Sequence, residues 1–184
     1  MKTVVITGGQ GDIAQEIAAL LALKGYTVIN PPRCLLDVSQ ESMVSAFFEK
    51  QKYDILINNA GVISPQSIPT SDSAIWKQEI DVNLIGTYLC CKYMLTENPK
   101  ATIINIGSSA AYSGKALWSG YSAAKAGVMR LTESLIAEGF DAYCLNIGRT
   151  ATKMLQKLCG QEDPSTRLSP KDVAIEILEI LTIV

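Results

Sequence analysis

Histidine is missing from all 184 residues. Its absence removes Ser-His-Asp triads, histidine-ligated metals and histidine proton shuttles together. Acid–base chemistry near neutral pH must then come from a tuned tyrosine, lysine, cysteine or carboxylate. Charge is also sparse: 18% of residues are Asp, Glu, Lys or Arg, the net charge is −2, and the basic residues are scattered. That argues against an electrostatic nucleic-acid binder. No apolar run reaches the roughly eighteen residues of a membrane span. The chain enters the strand-like Val4-Val5-Ile6 without the apolar stretch of a signal peptide, so a cytoplasmic location is expected. Cys34, Cys90, Cys91, Cys144 and Cys159 are odd in number and form no CxxC pair. They read as buried thiols rather than a disulfide framework or a metal site. Internal repeats and low-complexity tracts are absent too.

What the chain does have is 48% hydrophobic residues, enough to build one domain over residues 1–184. A β-branched run at residues 3–6 is followed by Thr7-Gly8-Gly9-Gln10-Gly11-Asp12, and Ile13, Ile17, Leu20 and Leu21 then recur at helical spacing up to Gly25. Further strands are expected at residues 26–29, 34–38, 54–58, 101–107 and 141–145. Helices are expected over about 40–51 (capped by Ser39), 73–95 and 119–138, and again after Ser169 with Pro170 at the first helical position. The strand at 34–38 follows Asn30-Pro31-Pro32-Arg33 with no crossover helix, although parallel neighbours normally need about a dozen residues between them. Apolar strands alternating with helices predict an α/β domain, a doubly wound, mostly parallel sheet of six strands in three layers.

A strand, glycines and a helix start can hold a pyrophosphate, because glycines admit the backbone and a helix N-terminus supplies N–H donors. The alternative for the glycines alone is a plain tight turn. Further on, residues 103–106 run into Gly107-Ser108-Ser109, and Tyr121 and Lys125 stand four positions apart, on one face of a helix. Serine, tyrosine and lysine can then converge at the carboxyl end of a strand, where open α/β sheets carry their sites. The spacing alone is uninformative. Seven tyrosines and twelve lysines in 184 positions give about half a match by chance, and Tyr88 with Lys92 supplies a second. Context separates the two. Tyr121 follows a strand that ends in serine, whereas Tyr88 lies inside the preceding helix and reads as packing, with Lys92 on a solvated face. The bland alternative makes Ser108 a strand-end cap, and Tyr121 and Lys125 ordinary helix residues.

Thr7-Gly8-Gly9-Gln10-Gly11-Asp12-Ile13, Asn58-Asn59-Ala60-Gly61, Asn83, Ser108, Tyr121-x-x-x-Lys125 and Gly148-Arg149-Thr150-Ala151-Thr152 stand in the order found in the short-chain dehydrogenase/reductase family. The chain resembles that family up to about Thr152. The resemblance implies a Rossmann-type sheet in the order 3-2-1-4-5-6. It also implies a nicotinamide cofactor held by Gly8, Gly9, Gly11, Asp12, Ile13, Asn59, Ala60, Gly61, Gly148, Thr150 and Thr152. By the same resemblance, Tyr121 exchanges a proton with a small carbonyl or secondary-alcohol substrate and Ser108 hydrogen-bonds its oxygen. Lys125 would bind the nicotinamide ribose and lower the Tyr121 pKa, and Asn83 would hold a water linking Lys125 to solvent. The family interval favours Ser108 over Ser109. Arg33 stands near the family's 2′-phosphate position and no acid ends the second strand, so NADP is expected over NAD. Asp37 and Val38 resemble the adenine-contacting pair, with Asp37 accepting from the adenine amino group.

Three departures qualify the resemblance. The glycine turn is one residue short of the commonest form, as in sugar-nucleotide epimerases. Ile147-Gly148 replaces the usual Pro-Gly. The chain also stops after the last helix, leaving Thr182-Ile183-Val184 as the first residues of the usual seventh strand and little between 153 and 168 to cover a substrate. A small substrate, or a partner subunit that completes the pocket, is the expectation. The family associates through its long helices, implying a homodimer or homotetramer; Trp76 suits such a face and suits the core equally. Two other functions fit parts of the pattern: a nucleotide-bound sensor or scaffold without turnover, and a sugar-nucleotide epimerase or dehydratase. The short C-terminal region disfavours the latter.

Overall fold

The structure, a computed structural model, describes residues 1–159 and 167–183. Among these residues five strands, β1 (Thr3–Ile6), β2 (Thr27–Ile29), β3 (Ile55–Asn58), β4 (Thr102–Ile106) and β5 (Ala142–Leu145), form one parallel sheet in the order β2-β1-β3-β4-β5. The register aligns Val5 with Leu56, Leu56 with Ile103 and Ile103 with Ala142. These side chains share one face, because successive residues of a strand alternate. They pack on Phe47 and Phe48 of α2 (Glu41–Phe48), on Met94 of α4 (Gly86–Glu97) and on Leu135 of α5 (Ser119–Ala137). The opposite face, Val4, Ile6, Ile55, Ile57 and Ile104, packs on Ile17 and Leu21 of α1 (Asp12–Leu23) and on Val173 and Ile177 of α7 (Pro170–Ile183). Burial on both faces explains why the strand sequences are apolar without alternation. Each fully buried Ile, Leu or Val contributes about 1.5–3 kcal/mol. The result is the three-layer, doubly wound Rossmann-type architecture expected from the alternation of elements.

The expected strand at 34–38 is absent. Pro31 and Pro32 have fixed φ and no N–H to give to a ladder. The chain instead coils, with the N–H groups of Leu35 and Leu36 donating back to the Pro32 carbonyl at 2.9 and 3.1 Å. Leu36 and Val38 are buried as core plugs, and Val38 packs against Gly86. Their apolar character imitated a strand. Ser39 does not cap α2 either; its N–H and hydroxyl bond Asp37 Oδ1 at 3.1 and 2.7 Å, and Gln40 is the N-cap.

The single long helix expected over 73–95 is three pieces. α3 (Ser73–Ile80) runs into one π turn, Asp81–Ile85, before α4 resumes the α pitch. At the other end, Ser169 caps α7 as anticipated, its hydroxyl accepting from the Asp172 N–H at 3.2 Å while the Asp172 carboxylate takes the Ser169 N–H at 2.7 Å. Thr182 and Ile183 continue α7 rather than opening a strand, while Val184 and the polar stretch 160–166 lie outside the described residues. Cys90 and Cys91 are buried and Cys144 half-buried, but Cys34 is exposed on the coil that replaces the missing strand. The Cys159 side chain is outside the described set. Among the described residues no helix is long and apolar enough to cross a membrane.

Candidate active site

β3 lies between β1 and β4, so the loops leaving their carboxyl ends meet. Buried Thr7 locks two of them: its hydroxyl oxygen accepts the N–H groups of Asn59 and Ala60, each at 3.0 Å, and its carbonyl accepts from Asn59 Nδ2 at 3.1 Å. Gly8 has φ +66°, and a Cβ there would come 2.9 Å from Ala60 Cα, so the close approach admits only glycine. Gly11 is the N-cap of α1 and has no side chain to satisfy the first-turn N–H groups. That turn borders a cavity of about 420 Å³ lined by Gly8, Gly11, Asp12 and Ile13 on this side and by Asn59, Ala60 and Gly61 on the next.

Ser108, Tyr121 and Lys125 line the same cavity from its far side. Ser108 follows β4, and the first turns of α5 carry the other two. Lys125 is 5% exposed; Nζ donates to the Ile106 carbonyl at 2.7 Å and stands 5.7 Å from the Tyr121 ring centroid. Burial pushes its pKa down to about 8. The Tyr121 hydroxyl is held above its ordinary value, chiefly by burial; a hydrogen bond from Ser108 works against this and the Glu79 charge adds to it. The Lys125 ammonium is turned to the strand-end carbonyl.

Gly148, Thr150 and Thr152 reach the cavity on the loop after β5. Thr150 bridges to Leu168, and the Thr152 hydroxyl accepts from the Leu155 N–H at 3.2 Å at the start of α6 (Lys153–Cys159). Asp12 also reaches the cavity, while its carboxylate accepts the Lys153 N–H at 2.6 Å. Ser109 lines the cavity beside Ser108, so both serines are present, and Ser108 is the one that acts on the tyrosine hydroxyl.

Gly9, Arg33, Asp37, Val38 and Asn83 do not line the cavity. Arg33, two-thirds exposed, pairs through Nε with Asp37 Oδ2 at 2.8 Å. Burial works to raise the Asp37 pKa, but bonds from Ser39 and Arg33 outweigh it and hold the carboxyl below its ordinary value. Asn83 is fully buried in the π turn: Oδ1 accepts the Val62 N–H at 3.1 Å, and Nδ2 donates to the Val62 and Glu79 carbonyls, both at 2.8 Å. Its amide braces the loop after β3. Tyr88 is at the surface, 46% exposed, rather than packed, and Lys92 pairs with Glu41 at 3.0 Å.

Trp118 and Glu79 were not singled out in the sequence. Trp118, the N-cap of α5, lines the cavity and sets its ring edge-on to Tyr121 at 5.9 Å. Its position three residues before Tyr121, one helical turn away, was the available signal. Glu79 is 3% exposed; its carboxylate accepts the Ser64 N–H at 2.6 Å and lies against Gly120 of α5. Its signal was a charge one turn before Asn83, on the face that Val82 and Asn83 turn inward.

A parallel sheet with a glycine turn after its first strand, and Ser, Tyr and Lys lining the same cavity, defines a doubly wound domain with its cleft at the carboxyl ends of the central strands. The sequence model of the short chain dehydrogenase family matches residues 33–163, and this chain belongs to that family. It is 32% identical over 162 residues to cis-4-hydroxycyclohexanecarboxylate dehydrogenase of Sinomonas cyclohexanicum, covering 72% of this chain and 65% of that one. It is 34% identical over 145 residues to a 3-oxoacyl-(acyl-carrier-protein) reductase of Aquifex aeolicus, covering 74% and 58%. The chain thus spans about two thirds or less of these relatives' length. Among solved structures, ElxO with NADP bound superposes with a TM-score of 0.86 at 25% identity, over 97% of this chain and 90% of that one. The ligand-free aldohexose dehydrogenase of Thermoplasma acidophilum also gives 0.86, at 23% identity over 97% and 86%, and shows the fold alone.

Proposed function

We propose that the protein is an NAD(P)-dependent oxidoreductase of the short-chain type that interconverts a small carbonyl compound and its secondary alcohol. The observation that carries this reading is the placement of Ser108, Tyr121 and Lys125 in one cavity with the Gly8–Gly11 turn. A dinucleotide fits the residues present: the turn has no side chains to fill the cradle, and the uncapped first-turn N–H groups of α1 suit a pyrophosphate. Gly8, Gly11 and Ile13 would lie along the phosphates, and Asn59, Ala60 and Gly61 along the ribose. When bound, nicotinamide supplies or accepts the hydride. Tyr121 holds the proton for the substrate oxygen, which its raised pKa suits in the reductive direction. Ser108 orients that oxygen, and Lys125 donates to the ribose. The family pattern also assigns a water to Asn83, whose amide supports the loop beneath.

NADP is the favoured cofactor, with Arg33 turning from Asp37 to a 2′-phosphate. At a concentration of about 100 Kd, NADP should stabilise the fold by about 2.7 kcal/mol. In a thermal-shift comparison NADP should raise Tm more than NAD, and Arg33→Ala should erase the difference. Equal shifts for both in the unmodified protein would remove the preference. Consumption of the reduced cofactor over a panel of carbonyls tests the reaction itself.

A homodimer or homotetramer is proposed through α3, α4 and α5. Trp76 there is 39% exposed and donates from Nε1 to Ser119 Oγ at 3.1 Å, and Ile75, Ile85, Tyr88 and Ile136 are 36–53% exposed. Sedimentation should give a multiple of the 19.9 kDa chain mass, and a monomer at working concentration would refute it.

A further inference from the structure

Glu79 lies in the last turn of α3, its residue 3% exposed, and among the described residues no lysine or arginine is paired with it. A carboxylate withdrawn from water without a cation needs other donors. Two backbone N–H groups from different parts of the chain supply them. Ser64, on the loop after β3, donates to Oε1 at 2.6 Å, while Oε2 lies against Gly120 in the first turn of α5, where the neighbouring Tyr121 main-chain N–H favours the charge. The carboxylate thereby sits at the positive end of α5. Gly120 makes the approach possible, because a Cβ there would overlap Oε2. Burial raises the Glu79 pKa, and the two backbone bonds oppose the rise.

The neighbours on the helix work on the same two segments. Asn83, one turn on, grips Val62 of the β3 loop, and Trp76, one turn back, donates to Ser119 of α5. Glu79 alone touches both.

We infer that Glu79 is a positioning residue: its carboxylate joins the β3 loop to the first turn of α5 and so fixes where the Tyr121 hydroxyl stands relative to Ser108 and Lys125. The inference rests on Tyr121 being the proton-exchanging group. Among the described residues, the ionisable groups that act on the tyrosine or share its cavity are Glu79 from α3, Lys125 from its own helix with Cys144 of β5 beside it, Lys115 over the Trp118 ring, the Asp12–Lys153 pair, and Arg149 after β5. Glu79 itself faces Gln78, Lys153 and Lys157 along a groove beside α6. Asp81, next in the chain beyond Ile80, is paired with Lys77.

Glu79→Gln keeps the shape but aims an amide NH2 at one of the two N–H groups and deletes the charge. Turnover should fall by about 10-fold or more with dinucleotide affinity retained, since misplacement of a reacting group by about 1 Å costs up to about 10²-fold. The pH profile of alcohol oxidation, which needs ionised Tyr121, should move to lower pH, because the charge that opposed ionisation is gone. A purely structural contact would lower turnover without that movement. Gly120→Ala keeps the charge and displaces the oxygen, so it should lower turnover and leave the profile free of that downward movement. Unchanged turnover and profile in a folded Glu79→Gln protein overturns the inference. If that variant fails to bind dinucleotide, unchanged turnover in Gly120→Ala overturns it. Tyr121→Phe with full turnover would instead overturn the catalytic reading beneath it.

Discussion

Tyr121→Phe is expected to lower turnover by about 10²–10⁴-fold, the contribution of a positioned general acid. The substitution removes one oxygen and leaves the ring, which packs edge-on against Trp118 and near Lys125. Fold and dinucleotide affinity should therefore be unchanged, and fluorescence titration with NADPH checks this alongside the rate. The expected pH dependence follows from burial and the Glu79 charge, which hold the hydroxyl above its ordinary value. The protonated form dominates at neutral pH, so carbonyl reduction should proceed there, whereas alcohol oxidation should rise with pH as the phenolate fraction grows. Lys125, with a pKa near 8, stays largely protonated below that pH and can donate to a ribose hydroxyl. Turnover of a true substrate by the phenylalanine variant at the normal rate would end the Tyr121 mechanism.

Gly9→Ala is the second large effect expected, and its cause lies outside the cavity. A Cβ on Gly9 would overlap the Asn30 carbonyl at the end of β2, and that contact is backbone on both sides. The Gly9 N–H also donates to the Pro31 carbonyl at 3.3 Å, and its own carbonyl accepts from Gln15 Nε2 at 2.5 Å. The turn has no room to slide. Overpacking of this kind costs about 1–3 kcal/mol, and dinucleotide affinity should drop because relief means moving the cradle. Urea unfolding should show a lower midpoint at an unchanged slope, with calorimetry showing weaker NADP binding. Gly114→Ala, whose Cβ would meet nothing within 4 Å, is the control and should alter neither. A Gly9→Ala midpoint equal to the control's would refute the close-approach argument.

Much of this was legible because it rests on local chemistry. The β1 strand, its glycine turn and the Ser108–Tyr121–Lys125 set could be read from residue type and order. The false strand at 34–38 came from Leu36 and Val38, whose burial reflects plugging of the core rather than alternation in a sheet. Arg33 and Asp37 each look like a cofactor group from sequence, yet they stand four apart in one coil and pair with each other. The one local sign of Glu79 is a charge one turn before Asn83; its contacts with Ser64 and with Gly120 of α5 are distant in sequence, and no local pattern encodes them.

The π turn at Asp81–Ile85 has a geometric consequence. Each residue of an α-helix advances about 100° around the axis, so one extra residue in a turn offsets everything after it by about that angle. Before the turn, Glu79 and Trp76 point at α5, and within it Leu84 packs on Gly127 of the same helix; after it, Gly86 meets Val38 of the coil that follows β2. A helix in uniform phase would carry these contacts to other bearings. The one-residue offset therefore works as a fixed angular coupling, letting one rod hold the tyrosine helix at one end and the coil after β2 at the other.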